Sequence, residues 1–108
     1  MTPDEAQQLV MRMFNDLQLT LPEDLRWSVS DDAEMVYVTL RREGHPFSVG
    51  TCGSPVAQSR CHLAEKVLSD LQDYMADIYS VWWPMLGRHR LNYEIDCVDD
   101  RPRLIFTL

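Results

Sequence analysis

The chain has 108 residues, 45% of them hydrophobic and 25% charged, with only 4 Gly and 6 Pro. That composition suits a globular domain and excludes collagen-like, linker-like and low-complexity classes. Seventeen acidic residues against ten basic ones give a net charge of −7. This sign opposes docking on nucleic acid or an anionic membrane, which relies on cations displacing counterions, and leaves a basic protein surface as the partner it suits. A chain of this length buries one core, so the expectation is a single α+β domain over residues 1–108. No apolar run approaches the roughly 18–20 residues needed to cross a bilayer.

In chain order, Thr2-Pro3-Asp4-Glu5 forms a capping box with Pro at the first helical position. Ala6, Leu9, Val10, Met13, Phe14 and Leu17 follow at i, i+3, i+4 spacing, which predicts one buried helical face. Three strands are predicted next. The first holds Trp27 and Val29, and the second runs from Met35 to Arg42 with Val36, Val38 and Leu40 on one side. The third runs from Phe47 to Cys52. Gly53-Ser54-Pro55 predicts a second helix with Ser54 as its N-cap and Pro55 at the first position. Its apolar stripe extends from Leu63 to Trp82, and Pro84 stops it near Trp83. Leu91, Tyr93, Ile95 and Cys97 then alternate as a strand, and Leu104, Phe106 and Leu108 as another. The predicted order is α-β-β-β-α-β-β, a mostly antiparallel five-stranded sheet with one wet face and two helices packed on the other.

Bond-making machinery is hard to find. The chain has no GxSxG elbow, P-loop, Gly-rich dinucleotide turn or HExxH. Acidic pairs such as Glu94 and Asp96 read as solvated surface. Cys52, Cys61, Cys97, His45, His62 and His89 are the residues able to bind a metal, but their gaps are long and irregular. Cys52, Cys61, His62 and His89 are the weak candidates, and the expectation is no metal and no cofactor. Three cysteines without a CxxC, and no charged n-region followed by an apolar h-region, read as reduced thiols in a cytoplasmic protein.

The features that point outward are aromatic and acidic. In helical phase Trp82 falls inside the apolar stripe, whereas Trp83 falls on its far side, beside Pro84 and the cationic Arg88-His89-Arg90. An exposed indole there is a partner anchor, flanked by Arg88 and Arg90. The alternative is that both indoles fold over the end of the core. Asp70, Asp73 and Asp77 share one flank of the second helix. With Asp31, Asp32, Glu34, Glu94, Asp96, Asp99 and Asp100 they would make a field that steers a basic partner. The plain alternative is a solvated helix face. Arg101 and Arg103 flank Pro102, with Asp99 and Asp100 close enough to pair them locally.

Two resemblances meet these residues. Trp83-Pro84-Met85-Leu86-Gly87-Arg88-His89 resembles the W-P-x-C-P-x-H stretch of small actinobacterial and phage proteins. It keeps the Trp, Pro and His spacing, with Leu86 and Gly87 where that pattern has Cys and Pro. The element order, with Leu17-Gln18-Leu19-Thr20-Leu21-Pro22 after the first helix, is similar to class I type III secretion chaperones and YbjN-like proteins. That resemblance implies a homodimer holding an extended client segment. Three functions follow as expectations. The first is a non-catalytic acidic domain that inhibits or neutralises a protein partner, as anti-defence and immunity proteins do. The second is a chaperone-like homodimer, and the third is a small metal-dependent enzyme.

Overall fold

The computed structural model describes residues 1–108. Helix α1 (Pro3–Leu17) begins at the capping box: the Glu5 amide donates to the Thr2 hydroxyl, and the Thr2 amide donates back to the Glu5 carboxylate. Its apolar face buries Ala6, Val10, Met13, Phe14 and Leu17. A 3-10 turn at Gln18–Thr20 follows. Strands β1 (Leu25–Asp31), β2 (Met35–Arg42) and β3 (Gly50–Pro55) form an antiparallel sheet in the order β1-β2-β3. Val36, Val38 and Leu40 point inward along β2, as their alternation requires. Phe14 stacks on Trp27, joining α1 to β1.

Three boundaries differ from those expected. Strand β3 starts later and runs through Ser54 and Pro55, with Val36 opposite Ser54 and Met35 opposite Pro55. Phe47, assigned to that strand, stands 99% exposed in the loop before it. Helix α2 (Arg60–Tyr74) therefore begins six residues beyond the predicted cap. Ser59 is its N-cap and accepts from the His62 amide. Either serine satisfies the cap preference, and the sheet claims Ser54 first. At its far end α2 gives way to a π turn (Met75–Tyr79) that closes on Ser80 with φ 54° and ψ 38°. The helix ends before the tryptophans, so their helical phase no longer applies.

The tryptophans consequently exchange places. Trp83 is 1% exposed, whereas Trp82 is 45% exposed. Trp83 donates its indole N–H to the Thr20 hydroxyl and lies 5.7 Å from Tyr93 and 6.4 Å from Phe106. Its carbonyl accepts from Gln72, and its peptide bond to Pro84 is cis. Trp83 is thus a core residue and not an exposed anchor. Next comes a small ladder of β4 (Met85–Leu86) with β5 (His89–Arg90).

The last two strands pair as expected, but they do not join the sheet. Strands β6 (Asn92–Val98) and β7 (Arg101–Thr107) form a separate hairpin, so the strands divide as 3+2+2 instead of forming one five-stranded sheet. Helix α2 contacts α1, β3, β6 and β7, and the hairpin packs on it and on Trp83. The core is a single cluster of 19 buried residues drawn from both helices, the sheet and Trp83. No helix is long and apolar enough to cross a membrane.

Candidate functional site

The hairpin turn builds one end of the site. Asp99 and Asp100 both have positive φ, 51° and 56°, and form a two-residue loop. Asx residues tolerate this conformation, and it matches the turn whose twist suits a hairpin. The turn puts the Asp100 carboxylate on the first turn of α2, where it accepts from the amides of Arg60 (3.0 Å) and Cys61 (3.2 Å). Those two orphan helix amides thus gain a partner of favourable charge. The Arg60 amide, then burial working against it, then the Cys61 amide set the Asp100 pKa, which is held below the usual carboxylate range. Arg60 also pairs with Glu5 and reaches Asp100, tying the start of α1 to the same corner.

A disulfide joins Cys61 of α2 to Cys97 of β6, with their Cα atoms 6.3 Å apart. This corrects the expectation of reduced thiols. Cys97 is exposed, although its alternation suggested the core, and only Cys52 is free. The Cys52 thiol is pushed up to about 11, by burial first and by neighbouring Asp70 second.

Between α1 and the hairpin lies a groove of about 870 Å³. Leu9, Arg12, Met13 and Asp16 of α1 form one wall, and Arg101, Pro102, Arg103, Leu104 and Phe106 of β7 form the other. Arg60 and Ala64 of α2 contribute between them. The two walls run the same way. The Arg60 contacts set Glu5 beside the hairpin turn, while Trp83 links Thr20 to Phe106 at the far end. From Glu5 to Asp16 the helix rises about 16 Å. From Arg101 to Phe106 the strand covers about 17 Å, so the walls match in length.

Residues from both faces of β7 line the groove, so it is the edge of the strand that faces α1. That edge is unpaired, because β7 bonds β6 alone. A two-residue loop makes Val98 and Arg101 a hydrogen-bonded pair, and pairs alternate thereafter. Arg101, Arg103, Ile105 and Thr107 therefore bond β6. The carbonyl of Pro102 and the amides and carbonyls of Leu104 and Phe106 point outward. No turn, loop or side-chain hydrogen bond occupies them. Pro102, which has no N–H, falls at an outward position where no ladder bond is lost.

The remaining predicted residues scatter. Asp70 is chelated by Lys66 at 2.8 Å through both oxygens, and its side chain is only 17% exposed, so it is not a free steering charge. Asp73 and Asp77 are exposed. Arg88 and Arg90 are exposed around the β4–β5 ladder, and Arg90 lies over Trp82 at 5.5 Å, not over Trp83. Three members of the wider acidic set are engaged locally. Asp32 accepts from the amides of Glu34 and Met35 and from the Tyr37 hydroxyl, Asp96 pairs with Arg103, and Asp100 caps α2. Among metal-binding side chains the fold gathers Cys61, Cys97 and Asp100 within 4.8 Å. There the sulfurs are bonded to each other and the carboxylate is committed to two amides. Cys52, His62 and His89 lie outside that group. Arg12 carries no signal in the sequence and Leu9 reads there only as part of the buried face of α1, since nothing in the periodicity of α1 shows that β7 stands opposite. Comparison with protein-family models, with curated proteins and with solved structures finds no match to this chain.

Proposed function

We propose that the chain is a non-catalytic protein-binding domain that holds an extended segment of a partner in the groove between α1 and β7. The observation that carries this reading is the free edge of β7, with its outward amides and carbonyls facing a helix across an open channel. An extended chain added there satisfies main-chain groups on both strands, which supplies affinity with little demand on side-chain identity. α1 stands across the edge, so a single strand fits where a second sheet would not. Holding such a segment is how this domain would inhibit, neutralise or chaperone its partner.

The test uses peptides selected from a random displayed library on the immobilised chain. Leu104→Pro removes one outward N–H and no bond to β6, so selected peptides should lose at least tenfold in affinity while the circular dichroism stays native. Peptides that bind this variant as well as the parent would overturn the reading.

A second surface supports a second reading. Asp73 near the end of α2 and Asp77 in the π turn after it are exposed and take part in no ion pair, so this end of the helix suits a basic protein partner. Reversing both charges should lower the association rate with that partner and flatten its salt dependence, and an unchanged rate would remove this reading.

A further inference from the structure

The charges around the groove restrict what can lie in it. Four of the ten cations of the chain, Arg12, Arg60, Arg101 and Arg103, line the groove of a molecule whose net charge is −7. Arg60 is committed to Glu5 and Asp100. Arg103 meets Asp96 at 2.7 Å but keeps 72% of its side chain exposed. Arg12 and Arg101 enter no ion pair. The unpaired anions of the lining, Asp16 and Asp99, belong to its two ends. Along the whole lining four arginines meet three carboxylates, Glu5, Asp16 and Asp99, so the groove keeps a small positive excess in an acidic molecule.

The pleat of β7 separates this charge from the apolar lining. Arg101 and Arg103 project to one face of the strand, and Leu104 and Phe106 to the other, where they pack against the core. A strand added to β7 meets both faces alternately. Resting on the reading that the groove holds an extended segment, we propose that the segment is acidic and apolar in alternation. Its apolar side chains lie on the floor formed by Leu9, Leu104 and Phe106, and its carboxylates lie toward Arg12, Arg101 and Arg103. The matched walls, each about 16–17 Å, take five or six extended residues.

Three synthetic peptides test this assignment. Each alternates valine with one polar residue, which is glutamate, glutamine or lysine, and is titrated into the intact oxidised chain. Amide shifts of Leu104 and Phe106 report the location and the affinity. The glutamate peptide should bind about five- to tenfold more tightly than the glutamine peptide at low salt, and high salt should shrink that ratio. The lysine peptide should be weakest. In Arg12→Gln/Arg101→Gln the glutamate and glutamine peptides should converge, with the glutamine peptide unaffected. Equal binding of all three at the groove, or preference for lysine, would overturn the acidic assignment and leave the groove reading standing. If no peptide shifts Leu104 or Phe106, the groove reading falls as well.

Discussion

Breaking the Cys61–Cys97 disulfide tests how the wall of the groove is held. The two cysteines are 36 residues apart in the chain. For a closed loop of that length, the loss of unfolded-chain entropy amounts to about 4 kcal/mol at room temperature. In a domain of this size, such a loss lowers the thermal midpoint by roughly 15–20 °C. Cys97 is exposed and Cys61 buried, so Cys97→Ala cuts the link with little loss of packing. The Asp100 cap and the Arg60 pairs remain, so the fold should persist at low temperature with the hairpin as its weakest part. The assay is urea denaturation of the oxidised chain, the same chain reduced by a dithiol, and Cys97→Ala, followed by far-ultraviolet circular dichroism. Reduced and Cys97→Ala chains should share one lowered midpoint, with Cys52→Ala remaining near the parent. Equal midpoints for oxidised and reduced chains would refute the staple.

Three further outcomes are expected. Trp83→Ala should cost about 3–5 kcal/mol, read by urea denaturation, because it empties a fully enclosed site and leaves the Thr20 hydroxyl without its indole donor. A cost near zero would place the indole outside the core. Asp100, Glu5, Asp24 and Asp32 all have lowered folded-state pKa values, owing chiefly to the Arg60 amide, the Thr2 amide, the Tyr79 hydroxyl and the Glu34 amide. Their stabilisation is present above about pH 4, the unfolded carboxylate range, and is lost as pH falls through the folded values. Asp100→Asn should therefore flatten the acid limb of a stability–pH curve, and an unchanged limb would contradict the cap. The Cys52 thiol, held up to about 11, should react with an aromatic disulfide reagent near pH 8 far more slowly than an unfolded cysteine. Rapid labelling of the folded chain would show that the half-buried Cys52 thiol is not held up.

How much of this was legible in the sequence varied by element. Helix α1 and strand β2 carry signals that local physics alone determines: a reciprocal cap and a strict alternation. The start of α2 does not, because Ser54 and Ser59 are equivalent as caps and only pairing with β2 decides between them. The π turn has no compositional mark, and it moved Trp83 from the predicted exterior into the core. Alternation told which residues of β6 and β7 share a face, but it cannot say which strand lies next to which. The detached hairpin was therefore invisible, and with it the groove. Arg101 and Arg103 stood out in the sequence as a cationic pair, but their counterpart Arg12 comes from the other end of the chain. The cysteine pair was missed for the same reason, since 36 residues of separation carry no spacing signal.

Amide hydrogen exchange at Leu104 and Phe106, measured with and without a saturating selected peptide, addresses the groove most directly. In the free chain both N–H groups face the open channel and should exchange quickly. With the peptide bound they should slow by at least tenfold, while exchange along the solvent side of α2 near Asp73 and Asp77 stays unchanged. Slowing confined to that side of α2, with Leu104 and Phe106 still at their free rates, would contradict strand addition at β7.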